Sequence, residues 1–127
     1  MLGTTIATNC LLERKGQRTL YLTTAGFEDV PFIQRIDRKS LFDLQWQKSV
    51  PYVRRSDCLG VAERIAQDGE IRVALADSEI ERLVAAVRAC AAAEGGVGVA
   101  INLLFSYIRP EHEQRLAAAL RDRKSVV

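Results

Sequence analysis

No apolar run in this chain of 127 residues approaches the roughly 18 residues of a membrane span, so the sequence predicts no membrane partner. The N-terminus lacks a basic region followed by a hydrophobic stretch, which argues against a secretory signal and for a cytoplasmic protein. Histidine occurs once, at His112, and cysteine three times, at Cys10, Cys58 and Cys90. One histidine and three widely spaced cysteines provide no metal-ligand spacing, and an odd count is a poor disulfide framework. Reduced structural thiols are therefore expected. With 18 basic and 16 acidic residues the net charge is only +2, too weak a bias to recruit nucleic acid or an anionic membrane. A glycine-rich phosphate loop, a nucleophile elbow and a paired-carboxylate pattern are missing as well. So are internal repeats and low-complexity linkers.

What is present reads as a single α/β domain spanning 1–127, large enough for one core. Threonines and an asparagine fill the first turn, and Ile6, Cys10 and Ala7, Leu11 recur at helical spacing, which predicts a helix from Thr4 or Thr5 to a left-handed stop at Gly16. Thr19 to Thr23 reads as a strand with Leu20 and Leu22 on one face. Phe27 to Val53 is irregular, with Pro31, Pro51, an exposed Trp46 and one helical turn near Ser40 to Leu44. Leu59 to Ile65 and Glu70 to Leu75 read as a hairpin about Gln67-Asp68-Gly69. Ser78 and Glu81 form a capping-box pattern ahead of the stripe Ile80, Leu83, Val84, Val87 and Ala91, which Gly95-Gly96 ends. Val97 to Phe105 is nearly all apolar, as in a parallel strand buried on both faces. Pro110 then suits the first turn of a helix with Leu116 and Leu120 inward. The alternation predicts an α/β fold with a mixed sheet and flanking helices.

In such sheets ligands gather beyond the carboxyl ends of the strands. Thr23-Thr24 and Ser106-Tyr107 fall there, and Thr4, Thr5, Thr8 and Asn9 open the first helix, where unpaired N–H groups favour anions and polar ligands. Capping and turn formation account for the same residue types. Asn102, inside an apolar strand, needs partners because an unpaired buried amide costs about 1–3 kcal/mol; sheet-edge hydrogen bonds supply the simplest ones. His112 lies in step with Leu116 and Leu120, so it faces inward, for packing or capping, with general-base chemistry as the alternative. Arg35, Asp37 and Arg38 form a charged cluster in the long excursion.

Five stretches resemble, in order, the N-terminal region of the hydantoinase A/5-oxoprolinase family. They are Gly3-Thr-Thr-Ile-Ala-Thr-Asn9 with Leu11-Leu-Glu-Arg-Lys-Gly16; Leu22-Thr-Thr-Ala-Gly-Phe27 with Asp29-Val30; and Leu41-Phe-Asp-Leu44. Glu63-Arg-Ile65 with Asp68-Gly-Glu70 follows, then Leu103-Leu-Phe-Ser-Tyr107 with Pro110-Glu-His-Glu113. The resemblance implies part of an actin-like (ribonuclease H-like) ATPase domain from an enzyme that couples ATP hydrolysis to opening hydantoins, 5-oxoproline or related lactams. It implies activation of the amide oxygen by phosphorylation. Related subunits of ketone carboxylases use ATP in a similar way.

The family's Asp-Gly-Gly-Thr phosphate hairpin belongs ahead of the Gly-Thr-Thr stretch, and its later nucleotide-binding segments belong after this region. The resemblance thus implies a fragment of the N-terminal domain, with ATP and Mg held by the full-length enzyme and no cofactor in this chain. Its cleft-facing candidates are Thr4, Thr5, Thr8 and Asn9, with Arg35 and Ser106 behind them. Catalytic residues are not assigned, and no metal site is expected. The implied partner is the remainder of the enzyme or a partner subunit, with a homo-oligomer as an alternative; a non-catalytic module for subunit association is the competing reading. Three positions depart from the family pattern: Phe32-Ile33-Gln34-Arg35-Ile36 stands for a Glu-Ile-Gly-Arg-Gln-type segment, Asn102 for a small or apolar residue, and Leu2 for a histidine.

Overall fold

The structure, a computed structural model, describes residues 8–9, 11–14, 16–33 and 42–122. Its centre is a three-stranded parallel sheet in the order β2-β1-β5, formed by β1 (Thr19–Thr24), β2 (Cys58–Val61) and β5 (Gly98–Asn102). β1 pairs Tyr21 with Cys58 on one side and with Ala100 on the other. A separate antiparallel pair joins β3 (Arg64–Ile65) to β4 (Ile71–Val73). The helices are α1 (Val30–Ile33), α2 (Asp77–Glu94) and α3 (Glu111–Asp122). The α/β class with parallel and antiparallel pairings is therefore as expected, the two kinds of pairing lying in different sheets.

Strand periodicity decides which side chains make the core. Leu20 and Leu22 of β1 and Val61 of β2 are buried on one face, against Leu83, Val84 and Val87 of α2 and Leu116 and Leu120 of α3. Each fully buried leucine or valine contributes about 1.5–3 kcal/mol. The apolar stripe read for α2 is this packing face, and Gly95 and Gly96 end the helix at φ 74° and 137°, a conformation that favours glycine. At the amino end of the sheet, Arg18 donates to both oxygens of buried Asp57, at 3.1 and 2.6 Å, and to Glu94 at 2.7 Å. These ion pairs raise the Arg18 pKa above its ordinary value, led by the hydrogen bond to Asp57. The clamp ties the start of β1 to the entry of β2 and the end of α2.

Several expectations change. The predicted strand Leu59–Ile65 is two strands: a turn closed by the Glu63 N–H on the Val61 carbonyl (2.8 Å) carries the chain from the parallel sheet into the hairpin. Ser78 and Glu81 make no capping box; Ala76 is the N-cap and has no side-chain cap. Glu79 instead turns back to accept the Ala62 N–H at 3.1 Å and to pair with Arg82. β5 is shorter than the apolar run and is not covered on both faces, since Ala100 and Asn102 are exposed. Thr8, Asn9 and residues 11–13 are helical, but Arg14 already has φ 54°, so the helical turns stop short of Gly16. The helical turn expected near Ser40 to Leu44 lies partly outside the described residues; Phe42 to Gln45 form turns, and the helix of this region is α1. Trp46 is half-buried rather than exposed.

Cys58 is buried, and that desolvation pushes its thiol pKa up, consistent with a protonated structural thiol; Cys10 lies outside the described residues. Among the described residues no helix is long and apolar enough to cross a membrane.

Two outcomes follow. Leu83→Ala, at a fully buried site, should cost about 2–5 kcal/mol in urea unfolding, whereas Phe42→Ala, at 94% exposure, should stay within about 0.5 kcal/mol. The hydrogen bond from Arg82 depresses the Glu79 carboxyl below its ordinary value. Its stabilisation is therefore present above the unfolded carboxylate pKa of about 4.3 and lost as pH falls through the lower folded value. Glu79→Gln should flatten that acid limb of the stability–pH curve.

Candidate functional site

The carboxyl ends of β1 and β5 bound a pocket of ≈ 100 Å³ lined by Tyr21, Thr23, Phe27, Val30, Asn102 and Leu104. Alternation along β1 puts Tyr21 and Thr23 on the face opposite Leu20 and Leu22. The register sets Thr23 beside Asn102. One step along the diagonal, the Asn102 side-chain amide donates to the Tyr21 hydroxyl at 2.9 Å. Among the described residues this leaves the Asn102 carbonyl oxygen as an acceptor and the Tyr21 O–H as a donor, side by side and open to the pocket. Phe27 is held beneath the Arg64 guanidinium, 5.1 Å above the ring centroid, a cation–π contact.

Behind the pocket lies a buried polar network. Thr24 ends β1 on the core face and donates its hydroxyl hydrogen to Glu63 Oε1 at 2.6 Å. His112 Nδ1 lies 2.7 Å from Glu63 Oε2. The Leu75 N–H donates to His112 Nε2 at 3.4 Å. Because Nε2 accepts, Nδ1 carries the imidazole hydrogen and gives it to the carboxylate. Finally, the Leu104 N–H donates to Thr24 Oγ1 at 3.0 Å. Glu63 and His112 are each 3% exposed and Thr24 is 1% exposed, so the carboxyl group and its two side-chain partners are dry, with half-buried Leu104 at the outer end of the set. A buried carboxylate is tolerated only with its lone pairs engaged, and here both oxygens are. The local cause is the tight turn after β2, which sends Glu63 inward while Arg64 reaches Phe27 and Ile65 enters the core.

The residues named from sequence divide between these places. Thr23 and Asn102 line the pocket; Asn102 is exposed and bonded to Tyr21, not buried as its apolar strand suggested. Thr24 points the other way, into the network. His112 faces inward in step with Leu116 and Leu120, as expected. Thr8 and Asn9 are helical and exposed, and Ser106 is half-buried outside the pocket lining. Thr4, Thr5 and Arg35 lie outside the described residues. Sequence reasoning missed Tyr21, Phe27, Val30 and Leu104 as pocket walls. Tyr21 carried a signal, its alternation against Leu20 and Leu22; a pocket closed by a loop folding back carried none.

His112→Phe keeps the bulk and removes both hydrogen bonds of the ring. Loss of the charge-assisted bond to Glu63 should cost about 1.5–3 kcal/mol in chemical unfolding. In the unsubstituted protein, ¹⁵N resonances of the ring should show Nδ1 protonated and Nε2 bare; the opposite tautomer would contradict the geometry.

Comparison with known proteins places this architecture. Residues 1–123 match the family model described as the hydantoinase/oxoprolinase N-terminal region. The chain is 34% identical to 5-oxoprolinase PfmaA of Pestalotiopsis fici, across 95% of this chain and 11% of that protein. It is 30% identical to the acetophenone carboxylase gamma subunit of Aromatoleum aromaticum, across 94% of this chain and 17% of that one. Among solved structures, an ATP-dependent caprolactamase from Pseudomonas jessenii superposes with a TM-score of 0.75 at 26% identity, covering 93% of this chain and 17% of that one. A nucleotide-free acetone carboxylase, an enzyme of ATP-dependent acetone carboxylation, gives 0.73 at 25%, covering 91% and 17%. This chain thus spans between a tenth and a fifth of the length of these relatives.

An adenine nucleotide does not fit the described pocket. Its ≈ 100 Å³ is well below the roughly 300–1,000 Å³ of a usual ligand cleft. None of its lining residues is basic, and among the described residues no group of three His, Cys, Asp or Glu could hold a metal ion. What the pocket offers is a neutral donor–acceptor pair on a small apolar floor. By sequence match, fold and the order of its motifs, the chain belongs to the hydantoinase/oxoprolinase family.

Proposed function

We propose that this chain is one α/β unit within an ATP-dependent hydrolase that opens cyclic amides such as hydantoins, 5-oxoproline or related lactams. The observation that carries the reading is the Tyr21–Asn102 pair at the strand ends. The amide of a small ring is locked cis, so its N–H and C=O leave from the same side. A site for it needs one acceptor and one donor, adjacent and uncharged. The Asn102 carbonyl oxygen and the Tyr21 O–H meet that requirement, with Thr23 beside them and Phe27, Val30 and Leu104 as apolar walls. Membership of the hydantoinase/oxoprolinase family, and similarity to a caprolactamase, support the same substrate class. ATP use is a property of the relatives, and no step through a nucleotide is assigned to the residues of this segment.

A second reading, part of an ATP-using ketone carboxylase, is favoured by the acetophenone and acetone carboxylase relatives. A ketone has an acceptor and no N–H. It would engage Tyr21 and leave the Asn102 carbonyl idle. The remaining alternative is a non-catalytic module for subunit association, which the exposed Ala100–Asn102 side of the sheet would serve.

The test uses the enzyme that carries this segment, assayed for ATP hydrolysis with 5-oxoproline, hydantoin or caprolactam, and with acetone or acetophenone plus bicarbonate. Asn102→Ala should raise KM for the cyclic amide about tenfold or more, the cost of about 1–3 kcal/mol for an unmatched polar group, and Tyr21→Phe should do likewise. Turnover of ketones unaffected by Asn102→Ala would select the carboxylase reading. No stimulation by either substrate class would leave the association module.

A further inference from the structure

We infer that Thr24, Glu63 and His112 are positioning residues, a buried relay that fixes the loop after β5 and with it the pocket wall at Leu104. The inference deepens the proposed function, on which it rests only for what the pocket receives.

Four separated segments join in one network centred on the Glu63 carboxyl group, two of them at its oxygens and one through the His112 ring. Thr24 comes from the end of β1, Glu63 from the turn after β2, His112 from the first turn of α3, and the Leu75 N–H from the chain leading into α2. The Leu104 N–H hangs on the same network through Thr24. Leu104 and His112 bracket the connection from β5 to α3, so both ends of that loop are tied to Glu63.

The loop needs such ties. Phe105 adopts φ 58°, a left-handed conformation that is a steric outlier for a bulky aromatic side chain and persists only where the surroundings impose it. Its carbonyl accepts from both Ile108 (3.1 Å) and Arg109 (3.2 Å), closing a tight turn. Beyond it, Tyr107 is 82% exposed and meets the Phe105 ring at a centroid distance of 6.1 Å. The hydrogen bond from Leu104 to Thr24 sits one residue before the strained position, where it fixes the direction in which the loop leaves the sheet.

The neighbouring side chain extends the same control to the opposite wall. Arg64 adjoins Glu63 and stands over Phe27. Successive residues of one short strand entry thus hold Leu104, through Thr24, and Phe27 directly. None of Thr24, Glu63 or His112 lines the pocket. Their effect on a ligand is indirect.

Native-state hydrogen exchange on the intact chain tests this without any substrate. The amides of Leu75 and Leu104, 29 residues apart, should open with the same free energy and the same denaturant dependence, because one network protects both. Independent opening of the two, with rates differing by more than tenfold, would overturn the relay. Thr24→Val keeps the shape and removes the hydroxyl. It should speed exchange at Leu104, Ile108 and Arg109 at least tenfold while Leu22 and Ile101 in the sheet stay protected, and Thr24→Ser should restore the slow rates. Unchanged loop amides in Thr24→Val, or loop and sheet amides accelerating together, would reduce Thr24 to ordinary packing. The Leu75–Leu104 comparison needs no substitution and decides the matter if Thr24→Val fails to fold. Failure of the enzyme to use cyclic amides would count against the proposed function and leave these rates unaffected.

Discussion

A carboxylate in a dry interior is the constraint around which this fold is arranged. A buried carboxyl group is costly unless each oxygen has a hydrogen-bond partner, and the partners of Glu63 come from elements far apart in sequence. Satisfying them brings the end of β1, the hairpin entry and the start of α3 to one point. Hydrophobic burial between the sheet and the two long helices supplies most of the stability, but apolar contact is tolerant of small displacements. Hydrogen bonds to a single charged group are not. The network therefore contributes less to holding the layers together than to deciding how they are aligned.

The two ends of the sheet use charge differently. At the amino end, Arg18 clamps Asp57 and Glu94 where solvent still reaches the guanidinium, a fastening between β1, the approach to β2 and the end of α2. At the carboxyl end the charged and polar groups turn inward to Glu63, and the surface left at the pocket is neutral: a phenol, an amide, a threonine and apolar walls. A neutral site suits a ligand recognised by hydrogen-bond pattern. The chemistry that relatives perform with ATP thus requires groups beyond those lining this pocket.

Much of this was legible in the sequence. Period-2 alternation in Leu20 and Leu22, the helical stripe from Ile80 to Ala91 and the glycine pair after it gave the core and the α2 boundary. They did so because each signal depends on local geometry alone. The inward face of His112 followed from its spacing with Leu116 and Leu120. What failed were readings that need tertiary knowledge. Asn102 looked buried because its neighbours are apolar, yet it stands exposed at the rim of the pocket. Ser78 and Glu81 matched a capping box, but the helix begins at Asp77 with Ala76 as N-cap, so Ser78 is already inside it and cannot cap. The apolar run Leu59–Ile65 concealed a turn, since a three-residue reversal has no composition of its own. The Glu63 network was invisible beforehand: its members stand 39 and 49 residues apart, and the parallel pairing of β1 with both β2 and β5 brings their elements together. Of the cleft candidates, Thr8, Asn9 and Ser106 stand outside the pocket lining, and Thr4, Thr5 and Arg35 fall outside the described residues; Thr23 of the strand-end pair and Asn102 line the pocket instead, and their partner Tyr21 was hidden in plain alternation.

The diagonal bond between Tyr21 and Asn102 joins two different strands, and its existence depends on β1 and β5 being paired at Thr23 and Asn102 rather than one residue away. A slip of a single residue would advance β5 by about 3.3 Å and turn Asn102 toward the opposite face. The arrangement of polar groups at this end of the sheet is thus encoded in strand alignment itself. The pocket exists in the correctly zipped sheet and in no mis-threaded one, so the shape of this surface reports the register of the strands beneath it.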